Sequence, residues 1–346
     1  RRYTALGRAV LRARRRAFDP FKLTWILTER CSLHCRTCHL WATAPDAGPD
    51  LATLRAVVAA NPQITWLNPS GGDLFEREDA PDVVEALVTG FPDLALFDVP
   101  TAGQDTDAVL AAVQPALDSP IPRVYVTVSL DGPDDIHDRV RASPGSAARA
   151  RATLRRLQAI RRPGFQAVAG MTLSRHNLPE DHVPAAASVP RWLPTDVEPA
   201  DLHLNLAHVS EHYYRTRDDP RPPVAAARAV IDAVRARQPR SLSPLAFMER
   251  LYWRHAARYL EHGHLERVCG ALRASVFVGA DLRVYPCSIY DRPLGSLADV
   301  GYALRRVPEL AEALPAQHAV EHQQCPGCWS PCEAFPSLLL GTAHAP

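Results

Sequence analysis

Three cysteines, Cys31, Cys35 and Cys38, share the stretch Thr28-Glu29-Arg30-Cys31-Ser32-Leu33-His34-Cys35-Arg36-Thr37-Cys38, directly after the apolar, strand-like Leu23-Thr24-Trp25-Ile26-Leu27. Thiolates spaced C-x3-C-x2-C on one loop can hold three irons of a cubane and leave the fourth without a protein ligand, open for chemistry. The other five cysteines, Cys269, Cys287, Cys325, Cys328 and Cys332, all fall in the last quarter of the chain. Eight cysteines in two groups, with none left over as a solitary core thiol, argue for metal and against disulfides.

A chain of 346 residues, 47% hydrophobic, can bury a large core and suits one α/β barrel with a smaller appendage. The net charge of +1 gives no reason to expect nucleic acid as a partner. The arginine-dense start, 1–16, carries Leu6, Val10 and Leu11 at roughly helical spacing and reads as a solvated helix over the bottom of a barrel. It lacks the apolar core of a secretory signal, no apolar run reaches transmembrane length, and a cytoplasmic protein is expected.

Between the cysteine groups, short apolar or β-branched runs alternate with alanine- and arginine-rich helical stretches, the pattern of repeated βα units. Strands are expected at 22–28, 64–68, 94–99, 123–129, 166–173 and 202–207, and helices at 51–60, 80–89, 105–117, 146–160, around 180–187, and at 223–237. Six units make a partial (β/α)6 version of the TIM-like barrel, whose chemistry sits at the strand C-termini. The predicted strands do end on polar groups: the cysteine loop, Ser70-Gly71-Gly72-Asp73, Ser129-Leu130-Asp131-Gly132, and His208. A long helical pattern, 247–260, precedes a change of composition at Gly263, which divides the chain into a basic segment (1–20), a barrel (21–262) and a tail (263–346).

The cysteine spacing resembles the signature of the radical S-adenosylmethionine (radical SAM) enzymes. The resemblance implies a [4Fe–4S] cluster on Cys31, Cys35 and Cys38 whose free iron binds S-adenosylmethionine and, once reduced, releases a 5′-deoxyadenosyl radical. Gly71-Gly72-Asp73 matches the family's Gly-Gly-Glu turn, with an aspartate for the usual glutamate, and implies an oxygen acceptor for the cofactor's ammonium group. Ser129-Leu130-Asp131-Gly132-Pro133 with His137 to Arg141 is similar to a stretch of members that carry an auxiliary cluster. There the serine meets the cofactor's polar groups and an arginine placed like Arg141 pairs with its carboxylate, a task suited to a planar fork. On local sequence alone, the alternative is a helix-leading turn with Asp131 as its cap. The pattern departs at Thr37, where many relatives carry an aromatic residue against the adenine; Trp41 is the nearby ring.

The tail resembles the SPASM or twitch auxiliary-cluster domain. A hairpin-like pair, 275–279 and 282–285, would bring Cys269 and Cys287 together, and the closing Cys325-x2-Cys328-x3-Cys332 loop could complete the site. Five cysteines cannot saturate two cubanes, so one auxiliary [4Fe–4S] cluster is the economical count, with Cys325 and Cys328 favoured over Cys332. A structural zinc site is the competing reading. Ser288 follows Cys287 where some relatives place an aspartate base, so that role does not carry over. Substrate contacts are sought at Asp98, His203, Asn205, His208 and Tyr290, each of which could equally be a structural polar group, and along Glu211-His212-Tyr213-Tyr214.

The expected activity is hydrogen abstraction from a substrate at the barrel mouth, with the auxiliary cluster accepting or relaying an electron. An external one-electron reductant such as ferredoxin or flavodoxin is implied. Relatives with this tail modify either a ribosomally made peptide or a small metabolite such as a sugar or aminocyclitol. Only a score of residues precede the first strand, with no leader-recognition domain among them, which tilts the expectation to a small molecule. A non-catalytic Fe–S or zinc carrier is the alternative of another class.

Overall fold

The computed structural model describes residues 1–43, 45–180, 189–238, 244–265 and 268–341. In chain order its elements are α1 (Arg2–Arg15), β1 (Lys22–Thr28), α2 (Leu51–Ala60), β2 (Trp66–Gly71), α3 (Ala80–Gly90), β3 (Leu96–Thr101), α4 (Thr106–Asp118), β4 (Arg123–Ser129), α5 (Asp134–Arg141), α6 (Ser146–Gln158) and β5 (Phe165–Leu173). There follow β6 (Leu202–Leu206), α7 (Val224–Arg237), α8 (Pro244–His262), β7 (Ser275–Val278), β8 (Arg283–Tyr285), β9 (Gly295–Ser296), α9 (Ala313–Glu321) and α10 (Pro331–Leu340). The helix expected around 180–187 lies almost wholly outside the described residues.

All nine strands form one sheet in the order β6-β5-β4-β3-β2-β1-β7-β8-β9. The first six pair in parallel, as a partial TIM-like barrel requires, with the helices α2, α3, α4 and the pair α5 and α6 crossing over between successive strands from β1 to β5. The hairpin of the tail joins the same sheet, because β7 runs parallel to β1 with Trp25 opposite Val278, and β8 returns antiparallel to it. Strands β2 and β3 begin two residues later than the apolar runs do. Pro69, Gly71 and Pro100 look like strand breakers, yet pairing continues through them, with Trp25 opposite Pro69 and Pro100 opposite Thr127.

Side chains alternate across each barrel strand. In β4, Val124, Val126 and Val128 are wholly buried against the outer helices, while Tyr125, Thr127 and Ser129 face inward and are partly exposed. The outward set packs on apolar stripes such as Leu54 and Val57 of α2 and Val83, Val84 and Leu87 of α3, and each such burial contributes about 1.5–3 kcal/mol. Asp50 and Asp105 cap α2 and α4 by accepting from Thr53 N and Ala108 N. Helix α1 closes the barrel bottom: Ala9 and Ala13 pack on Phe21, Trp66 and Leu340, and Leu6 reaches the interior.

Candidate active site

The cysteine loop leaves the end of β1 and is held from several sides. Leu33 and Cys35 are buried against Ala102, while Cys31 and Cys38 flank them. Ser32 donates from its N–H and its hydroxyl to Glu76 Oε1 at 2.8 and 2.6 Å, Arg36 N–H donates to Val140 O, and His39 N–H donates to Tyr214 O. Trp41 clasps the loop by donating its indole N–H to Cys38 O at 2.9 Å; it lines the cavity described below, as does Thr37. Burial pushes the Cys31 and Cys38 thiols up to about 12, so a thiolate at either place needs a cation beside it.

Gly71 and Gly72 make the close approach of β2 to this loop possible. A Cβ on Gly71, whose φ is +145°, would stand 2.0 Å from Thr28 O, and one on Gly72 would stand 2.1 Å from Arg30 O. Asp73 is turned inward. Its Oδ2 accepts from Thr101 Oγ1 at 2.9 Å and Ala102 N at 2.8 Å, and its Oδ1 accepts from Phe75 N. Burial raises it to about 6, and it ties β2 to β3 beneath the cysteine loop, whereas Gly71 and Gly72 themselves line the cavity.

On the facing side, Arg141 at the end of α5 donates from Nε to Asp131 Oδ2 at 2.7 Å and places Nη1 3.6 Å from Cys35 Sγ. Burial opposes the guanidinium charge, but Asp131 and the Cys35 thiol outweigh it and hold the pKa up. Asp131 is fixed in turn by Thr172 N–H and by a bond from Asn177 Nδ2 to its carbonyl. His137 accepts Asp131 N–H on Nδ1 at 3.0 Å and pairs through Nε2 with Ser146, and burial lowers its pKa to about 4. Asp131 therefore orients an arginine; the first residue before α5 is Pro133, which offers no side-chain cap.

One cavity of about 650 Å³ runs from the three cysteines down the barrel. The inward row of each strand lines it: Trp66, Asn68 and Ser70; Leu96, Asp98 and Pro100; Tyr125, Thr127 and Ser129; Gln166, Gly170 and Thr172. Asp98, His203, Asn205 and His208 line it as sought, while Tyr290 does not. Tyr213 and Tyr214 are wall residues, Tyr213 sharing a 2.7 Å hydrogen bond with Ser70. His203 pairs with Glu249 Oε1 at 3.1 Å, which raises its pKa in spite of burial. Sequence reading missed Lys22, Asn68 and Glu249. Lys22 did carry a signal, since the chain's only lysine opens a strand; it is 1% exposed, lies 4.9 Å over the Trp66 ring and donates to Cys332 O.

Beyond Tyr214, Cys269, Cys287 and Cys328 are buried together, with Cys325 against them, among Ala271, Ile289 and Val320. The N–H groups of Ile289 and Tyr290 point to Cys287 Sγ at 3.4 and 3.2 Å, as suits a thiolate. Cys332 stands apart from that group: it lines the barrel cavity with its Sγ 3.8 Å from Asn68 Oδ1. Cys332, the member of the closing loop that was not favoured as a ligand, is turned toward the barrel at the start of α10. Among the described residues no three His, Cys, Asp or Glu side chains close on a single metal ion. A zinc site draws its sulfurs to about 2.3 Å from one point. A cubane spreads its thiolates over separate corners, and the donor sets here, three thiols on a loop and four in an apolar nest, fit that larger group.

No protein-family model matches the sequence, and no curated protein does. Among solved structures, the chain is similar to native anSMEcpe with bound AdoMet at a TM-score of 0.56 and 13% identity, over 85% of this chain and 82% of that one. The chain shares the fold of these AdoMet-bound structures. Native anSMEcpe with bound AdoMet and Kp18Cys peptide matches at 0.56 and 14% over 93% and 89% of the two chains. Streptococcus suis SuiB bound to precursor peptide SuiA matches at 0.51 and 12% over 86% and 68%. The fold places the Cys31, Cys35 and Cys38 loop at the C-terminal end of β1, where partial TIM-like barrels carry their chemistry.

Proposed function

We propose that the chain is a radical SAM enzyme acting on a small polar metabolite, a sugar or aminocyclitol. The observation that carries this is the single cavity joining the three loop cysteines to a floor of Asn68, Asp98, His203, Asn205 and Glu249. Cys31, Cys35 and Cys38 would hold a [4Fe–4S] cluster which, with S-adenosylmethionine, supplies the 5′-deoxyadenosyl radical when an external ferredoxin- or flavodoxin-type protein donates an electron.

The remaining roles belong to the chain's own residues. Arg141, its Nε taken by Asp131, offers its terminal nitrogens to the cofactor's carboxylate, and Ser129 and the Gly71-Gly72 turn meet its other polar groups. Asp73, its oxygens occupied, positions the turn. Cys269, Cys287, Cys325 and Cys328 would hold one auxiliary cluster, with Tyr214 between it and the cavity. Carboxylates and amides on the floor suit hydroxyl and amino groups, and the closed bottom under α1 limits length. Among the described residues no helix is long and apolar enough to cross a membrane, and eight free cysteines suit a reducing cytoplasm.

A peptide is the second reading, since anSMEcpe and SuiB are solved with peptides bound. Anaerobic incubation with S-adenosylmethionine and dithionite tests the activity. 5′-Deoxyadenosine should form and should disappear in Cys35→Ala; its absence from protein with the cluster intact overturns the proposal.

A further inference from the structure

We infer that Cys332 is a hydrogen-atom donor facing the substrate and that the enzyme inverts a carbon centre, an inference that rests on the radical SAM reading above. Seven of the eight cysteines fall into the two donor sets, and Cys332 alone lines the cavity without joining either. Its position is fixed. The Cys332 carbonyl accepts from buried Lys22, its N–H donates to Ser330 Oγ at 3.3 Å, and its Sγ lies beside Asn68.

The height of the thiol matters. Asn68 precedes Gly71 by three residues, about 10 Å along the strand at 3.3 Å per residue. Cys332 therefore meets the cavity from below, while Cys31, Cys35 and Cys38 close it from above. A substrate carbon held between them loses hydrogen on one face and regains it on the other.

A second observation marks this floor as a binding place. Trp66 lines the same cavity, is 6% exposed, and its indole N–H has no partner. Glu249 Oε2 likewise lacks one. A donor and an acceptor left open at one floor fit a polyhydroxylated or amine-bearing molecule.

A substrate C–H bond breaks by hydrogen-atom transfer to the 5′-deoxyadenosyl radical, giving 5′-deoxyadenosine and a substrate carbon radical. The Cys332 S–H bond then breaks and a new C–H bond forms on the opposite face, leaving a thiyl radical. One electron from an external one-electron protein reductant and one proton from water restore the thiol, so the substrate is neither oxidised nor reduced.

The test uses anaerobically purified holoprotein, wild type, Cys332→Ala and Cys332→Ser, labelled with iodoacetamide, with and without S-adenosylmethionine, in one arm and, in the other, incubated with S-adenosylmethionine, dithionite, 2-deoxystreptamine and myo-inositol in D2O. All three proteins should retain about eight irons. Iodoacetamide should modify wild type at Cys332 while the ligand cysteines stay protected, and S-adenosylmethionine should slow that labelling several-fold. In D2O, the recovered aminocyclitol or inositol should carry one carbon-bound deuterium from the exchanged thiol with wild type, several-fold more often than with either variant. Loss of iron in the variants, protection of Cys332, or equal deuterium in all three overturns the inference. Absence of 5′-deoxyadenosine from every protein would instead defeat the functional reading beneath it.

Discussion

Arg141 and Asp131 form an ion pair at 2.7 Å in which the carboxylate is 3% exposed and the guanidinium 16%. The pair aims the arginine at the cysteine loop, so each partner has a separable effect. Arg141→Lys keeps the charge and loses the fork, and S-adenosylmethionine affinity should fall about tenfold, near 1.4 kcal/mol. Asp131→Asn leaves a buried cation unpaired and should cost about 3–5 kcal/mol of stability as well. Titration of the reduced cluster's EPR signal with S-adenosylmethionine, alongside urea melts, separates the two.

His137 gives this corner a pH dependence. Its pKa is lowered from 6.5 to about 4, so between those values the folded chain binds fewer protons than the unfolded one, and stability falls as pH falls. Protonating Nδ1 would set a donor against Asp131 N–H. About 2 kcal/mol should be lost between pH 7.5 and pH 5, and His137→Gln should flatten that slope in anaerobic urea melts.

Gly72→Ala is expected to displace the cysteine loop, since the added carbon meets Arg30 O at 2.1 Å. Iron should drop from about eight to about four per chain, the auxiliary set surviving. Unchanged iron content would show that the loop has room to shift.

Lys22→Met keeps the volume and removes the donor to Cys332 O, leaving that carbonyl and the neighbouring Glu333 uncompensated. A loss of about 2–4 kcal/mol is expected, read as a lower urea midpoint with an unchanged slope.

The barrel was legible because outward valines alternate with inward polar residues, and β1 and β4 begin and end where the apolar runs do. Boundaries slipped at β2 and β3, where prolines occupy strand positions that local propensity assigns to turns. The cysteine loop was legible from spacing alone. The inward turn of Asp73 was not, because three residues in sequence say nothing of Thr101 and Ala102 arriving from the next strand. That Cys332 is the odd member of its run was legible from the count of ligands, but its place in the barrel cavity was not, because only the start of α10 after Ser330 turns it there.

The parallel pairing of β7 with β1 means that Lys22–Thr28 is completed on one side by a strand, Ser275–Val278, translated only after all the other barrel strands. While the ribosome is still translating residues before Ser275, one side of Lys22–Thr28 carries unsatisfied amides and carbonyls, open to pairing with any other nascent strand. A product terminated before Ser275 keeps that edge open and should aggregate through it.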